Sequence, residues 1–460
     1  MSPLHFIYCA VASALSVMLC VEAAARASST RTAFPGAEGW AATTPGGRGG
    51  RIIKVTTLAA SGPGSLREAI AAKGPRIVVF EVGGVIDLDH GFFAIEEPFI
   101  TVAGQTAPSP GITIIRGMGV GIITHDVVVR HVRVRPGDAG ERKAGGWLSD
   151  GIRTERAAHD VIIDHCTLAW ATDKNLAVSG DRFQGSTPDE WRANTSHRIT
   201  VSNNIIAEGL SLSTHWKVEH SKGALIHDNV TDLTIVGNLF AHNYERNPLF
   251  KGGVRGVVVN NFIYDPGPRA IHYNLIADDW GDRPYQLGQM VAVGNVVRAG
   301  PSTPTPVAFL EIGGAGNLEY YARDNIAVDQ LGRPLPMQGR YTTARALVIE
   351  VRKPPLWPDG LEAIPAADVE VAILKSAGAR PWDRDYQDAR LIADVSEGRG
   401  KIIDSQEEVH GYLEAKSTRR DFNPDDWDLE TMTPLRPDVL DGAQKNQTLM
   451  LAPGQLLPHY

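Results

Sequence analysis

Two sets of charged side chains have the types and spacing to do chemistry. The first is Asp150, Asp164, His165 and Asp173; the second is Lys222, Arg246 and Lys251. Two Asp from neighbouring turns of a chain, with water, make a hard oxygen site of the kind calcium accepts. A cationic strip beside it attracts an anionic chain, so metal plus cations along an open groove points to an acidic polysaccharide. The same residues suit a blander account, since Asp in turns caps backbone amides and Lys or Arg on an outer face is solvated. The pattern alone leaves both readings open. What decides is whether the elements carrying these residues put them on one face.

Those elements repeat. Short β-branched runs bounded by Gly, Asn, Asp or Pro recur from about residue 77 to 328, and they align as HDVVVRHVRV from His125, HDVIIDHCTL from His159, HRITVSNNII from His197 and TDLTIVGNLF from Thr231. The position before the second apolar pair is Val132, Cys166, Asn204, Asn238, Asn261, Asn295 and Asn325, with spacings of 34, 38, 34, 23, 34 and 30 residues. That period is too short for a domain and too strand-rich for a helical repeat. It suits a coil of three short strands stacked on its neighbours: an all-β, single-stranded right-handed parallel β-helix. A turn Asn tolerates left-handed backbone, and its amide can bond the equivalent amide one rung away. A β-sandwich would give turn signals every 8–12 residues without this longer period.

Counting from the ladder places the charged residues. Asp173 lies 7 residues after Cys166 and Arg246 lies 8 after Asn238, nearly one phase and two rungs apart, roughly 10 Å along the axis. Coils longer than three strands require must carry loops, and a groove beside those loops is where function belongs.

The ends differ from the middle. Residues 28 to about 76 are Gly-rich, with one helical stretch whose Ser65 and Glu68 sit at capping-box spacing, and are expected to close the first rung. After about residue 330 the repeat gives way to Pro-rich, charged sequence with helical patches at Ala366 to Ser376 and Asp385 to Ser396, expected to pack back on the coil. The division is therefore 1–27 leader, 28–330 solenoid with its N-terminal cap, and 331–460 irregular C-terminal extension.

Phe6 to Val21 is an apolar run of 16 residues followed by Ala23-Ala24-Ala25-Arg26-Ala27, which reads as a secretory signal peptide cleaved near Ala25 or Ala27. Of three Cys, Cys9 and Cys20 fall inside it, leaving Cys166 and no disulfide, so stability must come from a large core. The chain of 460 residues has 45 Lys plus Arg against 53 Asp plus Glu, a net charge of -8. This argues against a nucleic-acid partner, and no other stretch is long and apolar enough for a membrane; a secreted monomer is expected.

Six blocks in order, AFPGAEGWAATTPGGRGG, GPGSLREAI, VAGQTAPSPGITI, VIIDHCTLAWATDKNLAV, HSKGALI and RNPLFKGG, resemble the secreted pectate lyases of polysaccharide lyase family one over roughly residues 33 to 330. The resemblance implies cleavage of 1,4-linked galacturonan by calcium-assisted β-elimination. It makes Arg246, in the R-x-P-x-x-K motif with Pro248 and Lys251, the catalytic base, and Lys251 and Lys222 contacts to substrate carboxylates. Asp150 and Asp173 become calcium ligands, and Asp164 with His165 lies in a block placed near the cleft, His165 as a substrate contact. The chain departs from the family at Lys174 and Ala177, where members commonly offer Glu and a further ligand. That departure keeps a metal-independent pectin lyase in view. A β-helical hydrolase of the polygalacturonase kind would instead use Asp150, Asp164 and Asp173 together, and a non-catalytic carbohydrate-binding solenoid would use the groove for binding alone.

Overall fold

A computed structural model describes residues 31–440 apart from 218, 221, 305 and 413–415. The leader, its cleavage site and Cys9 and Cys20 lie outside the described residues. Each coil of the chain lays down three strands in turn, one in each of three long sheets of eleven, ten and nine strands. The first sheet holds His125–Arg130, His159–Asp164, His197–Ser202 and Thr231–Val236; the second holds Val132–Arg135, Thr167–Ala169 and Ile205–Ala207; the third holds Asp150–Thr154, Lys174–Val178, Ala224–Ile226 and Leu249–Lys251. Successive coils pair in parallel, as in His125↔His159↔His197. This is the parallel β-helix expected from the repeat.

The strand residues dictate it. Alternation sends Val127, Val129, Val161, Ile163, Ile199, Val201, Leu233 and Ile235 into one continuous core, each stacked on its counterpart a rung away. At the first position of these strands the same register stacks the imidazoles of His125, His159 and His197, ring centroids 4.9 Å apart. At the bend between first and second sheets the asparagines form the expected ladder: Asn204 Nδ2 donates to Asn238 Oδ1 at 2.9 Å, Asn238 to Asn261 at 2.9 Å, Asn261 to Asn295 at 3.0 Å and Asn295 to Asn325 at 3.0 Å. Buried, unoxidised Cys166 continues the line, its backbone N–H donating to Asn204 Oδ1 at 2.7 Å.

At the N-terminal end the helix Leu66–Ala71 buries Leu66, Ala69 and Ile70; Ser65 Oγ accepts the Glu68 N–H and Glu68 Oε2 accepts the Gly64 N–H. The Gly-rich segment before it does something other than close a rung. It runs along the outer face of the first sheet, where Ala33, Phe34 and Ala41 pack on Val128 and Ile162. Gly47 is required there, because a Cβ on it would lie 1.8 Å from the Arg76 carbonyl oxygen. Parallel strands continue past residue 330 to Val348–Glu350. The helices Ala366–Ser376 and Tyr386–Ser396 then cover the outer face of the second sheet with Val369, Ile373, Leu391 and Val395 on Leu239, Phe262 and Tyr264. Arg133 and Arg135 of that sheet, both buried, clamp the second helix through Asp388 at 3.1 and 2.7 Å and Asp385 at 3.3 and 2.6 Å. Among the described residues no helix is long and apolar enough to cross a membrane.

Candidate functional site

The bend from second to third sheet is where the coils open into loops, over residues 136–149 and 208–223. At the start of the third-sheet strands the ladder of backbone bonds fixes four rungs in order. Asp150 is in register with Lys174; the Asn175 N–H donates to the Lys222 carbonyl at 3.0 Å; the Gly223 N–H donates to the Glu245 carbonyl at 3.0 Å and Ala224 N–H to the Arg246 carbonyl at 2.6 Å. Asp173, whose N–H bonds Ser149 O at 2.9 Å, shares the rung of Lys174. Asp150, Asp173, Lys222 and Arg246 therefore form a single column of charge, with Asp173 and Arg246 two rungs apart.

The column is internally paired. The Lys174 ammonium spans the two carboxylates, contacting Asp173 Oδ2 and lying 3.2 Å from Asp150 Oδ1. The remaining Asp173 oxygen faces His220 Nε2 at 2.9 Å, and the remaining Asp150 oxygen faces Arg153 at 3.4 Å. Burial pushes the Asp150 pKa up, Lys174 only partly offsetting it. Burial acts on Asp173 in the same sense, but His220 and Lys174 outweigh it and hold that carboxyl well below its usual range. One rung on, Lys222 Nζ lies 2.6 Å from Glu245 Oε1, with Arg269 on the other oxygen. Burial brings Lys222 down to about 8, helped by Arg246 and Arg269 and opposed by Glu245.

Arg246 sits in the same column under backbone strain. Its φ is +68°, a left-handed conformation that costs a non-glycine residue on the order of 1–3 kcal/mol. Its Nε is buried with no hydrogen-bond partner, and burial lowers its pKa against the pull of Glu245, Asp173 and Asp150. A guanidinium destabilised in this way has more to gain from an incoming anion than a solvated one.

Lys251 ends its strand five residues after Arg246, with Nζ 2.8 Å from Asp279. His165 is elsewhere: it follows a first-sheet strand, at the bend between first and second sheets, with Nδ1 2.7 Å from Asp164 and its ring stacked on His131 at 5.1 Å. Asp164 there also takes Arg130 at 2.9 Å and Ser202 at 2.8 Å. The expectation of His165 as a substrate contact is thus corrected. Its adjacency in sequence to the strand that leads into the groove does not bring it there, because the chain turns a corner between His165 and Thr167. The same corner removes Asp164 from Asp150 and Asp173, so the three carboxylates do not converge.

Residues that the sequence pattern did not single out complete the site. His215 and His220 stack with ring centroids 3.6 Å apart over Asp173. Glu245 is preceded by Tyr244, whose ring lies 5.0 Å from the Lys222 ammonium. The only signal for Glu245 was its place directly before Arg246. The histidines were visible as the flanks of HWKVEH, with nothing to say that the loop folds back on Asp173.

No protein-family model matches the chain. A probable pectate lyase C of Neosartorya fischeri is 32% identical over 429 residues, covering 90% of each chain. One of Aspergillus fumigatus is 31% identical over 441 residues, again covering 90% of each. A solved pectate lyase bound to a hexasaccharide superposes with a TM-score of 0.50 at 15% identity, over 75% of this chain and 97% of that one, a likeness of fold. At more than 30% identity over nine tenths of both sequences, the chain belongs to the pectate lyase family.

Proposed function

We propose that this protein is a polysaccharide lyase that cleaves 1,4-linked galacturonan by β-elimination, with the column from Asp150 to Arg246 as its active centre. The relatives' activity supports the reaction, and the half-buried Arg246, its Nε sealed from solvent without a hydrogen-bond partner beside a line of cations, is the observation that carries the site. The uronate C5–H is acidified by its own carboxylate. Arg246 takes that proton, the electron pair forms the C4=C5 double bond, and the C4–O4 bond breaks so that O4 leaves with a proton from solvent. Burial of the guanidinium favours the neutral form this step needs. Lys222 and Lys251 each hold one carboxylate of the protein and, with three N–H donors apiece, have others for substrate carboxylates. The apolar run from Phe6 to Val21 supports action outside the cell.

Calcium is the cofactor such a reading brings with it, and Asp150 and Asp173 are the residues that would hold it. As they stand they do not fit: Lys174 and His220 take the oxygens of Asp173, Arg153 faces one oxygen of Asp150, and the other, buried and accepting no hydrogen bond, has the Lys174 ammonium 3.2 Å in front of it where an ion would sit. A divalent ion about 4 Å from that ammonium would be repelled by about 8 kcal/mol at an effective dielectric of about 20.

The test is ultraviolet absorbance during incubation with demethylated pectin. Elimination creates a conjugated, absorbing product end; reducing ends without that absorbance would mean hydrolysis and would overturn the proposal. No cleavage, with binding intact, would leave a carbohydrate-binding solenoid.

A further inference from the structure

We infer that Lys174 is this protein's tethered replacement for a metal ion: its ammonium bridges Asp150 and Asp173 and offers its remaining N–H to a substrate carboxylate, so uronan cleavage needs no calcium. The inference rests on the lyase reading above and assigns the charge that neutralises the substrate.

Register puts the ammonium there. Lys174 opens the strand Lys174–Val178 directly beside Asp150 of the preceding rung, so the two side chains leave the sheet as neighbours. Asp173, the residue before it, closes the bridge from the other side. Lys174 donates a hydrogen bond to Asp173 Oδ2 and stands 3.2 Å from Asp150 Oδ1 as an ion pair, so an N–H of the ammonium remains for a ligand. The side chain is 14% exposed, enough for a ligand in the groove to reach it. Arg153, which holds Asp150 at 3.4 Å and Glu155 at 2.7 Å, and Lys222, which holds Glu245 at 2.6 Å, place cations on the rungs either side, so a uronate carboxylate arriving here meets N–H donors of charged side chains on three consecutive rungs. That charge does for the carboxylate what a metal would: it stabilises the carbanion developing at C5. His220 holds the far oxygen of Asp173 and keeps the carboxylate turned toward Lys174.

The experiment uses the full secreted chain, galacturonan as substrate, and ultraviolet product absorbance with and without a chelator, alongside calorimetric titration with calcium chloride alone. The expected result is an unchanged rate in chelator and no calcium binding at millimolar concentration. Lys174→Ala should lose at least about 100-fold in rate in chelator. Lys174→Glu should gain calcium binding and become chelator-sensitive, with circular dichroism showing both variants folded. A wild-type rate abolished by chelator and restored by calcium would overturn the role of Lys174 and leave the lyase reading standing. Inactivity on galacturonan under every condition would overturn the lyase reading, while the wild-type titration, which needs no variant and no turnover, would still decide whether Lys174 excludes the metal.

Discussion

Lys222 and Arg269 share one carboxylate: Nζ of the first lies 2.6 Å from Glu245 Oε1, and the guanidinium of the second holds Oε2. Glu245 thus pins two cations from neighbouring rungs immediately beside Arg246. Its own pKa is driven down although burial opposes it, because His272, Lys222 and Arg269 surround it.

The depressed Lys222 sets a pH limit. With its pKa near 8, the ammonium is present below that pH and lost above it. KM for galacturonan is expected to rise as pH passes through about 8 while kcat changes less, and Lys222→Arg should remove the inflection. The same group has a stability signature of opposite sense. Between its folded value and an unfolded value of about 10.4, the unfolded chain binds the extra proton, so its contribution to stability increases with pH. Initial-rate measurements and urea titrations from pH 7 to 10 check both.

Replacing Arg246 by Ala should lower kcat by roughly 10³-fold with little change in KM, within the 10²–10⁴ range of a general base. Arg246→Lys should recover no more than about tenfold of this loss, because a shorter, flexible amine does not occupy the position of the fork. A Lys variant close to wild type would assign Arg246 to charge stabilisation alone.

Asp164, far from the groove, is a structural anchor. Burial by itself would raise its pKa, but His165 and Arg130 drive it well below the usual carboxylate range. Its stabilisation is complete above the unfolded value of about 3.9 and is lost as pH falls below it. Asp164→Asn is expected to cost about 3–5 kcal/mol in urea unfolding at pH 7, as for other broken buried pairs. The activity of the surviving folded fraction should be unchanged.

The asparagine ladder has a graded cost. Asn261→Ala removes the acceptor for both the backbone N–H and the Nδ2 of Asn238, two buried donors, and should destabilise by about 2–4 kcal/mol. Asn325→Ala, at the half-buried end of the ladder, should cost about half as much by the same titration.

Much of the fold was legible in the chain because a solenoid repeats its grammar. Once Cys166 and the five asparagines were aligned, the offset of Asp173 and Arg246 from that line was a distance along the axis, and the rungs of Lys174, Lys222 and Arg246 followed it. What failed was direction around the axis. His165 is next to Cys166 in sequence, but the coil bends there, and spacing alone does not say on which side of a bend a side chain emerges. Lys174 was readable as a departure from the family pattern, not as an ammonium between two carboxylates, since that depends on the register of Asp150 against it. The Gly-rich segment from Pro45 to Gly50 looked like a plug for an open end; that it lies flat on the first sheet follows from Gly47 and the Arg76 carbonyl, residues 29 apart.

In the ladder every amide points the same way. From Asn204 to Asn295 each Nδ2 donates one hydrogen to the Oδ1 of the next, C-terminal rung and the other back to a carbonyl of the preceding rung, and each Oδ1 from Asn204 to Asn325 accepts from the N-terminal side, the first from the Cys166 backbone N–H. Aligned bonds polarise one another, so the row behaves as a one-directional wire of dipoles through an apolar interior. A coil added or deleted whole, with its asparagine, passes the polarity on unchanged. A single Asn turned end for end would set oxygen against oxygen on one side and nitrogen against nitrogen on the other, so the wire tolerates a change of length far better than a reversed link.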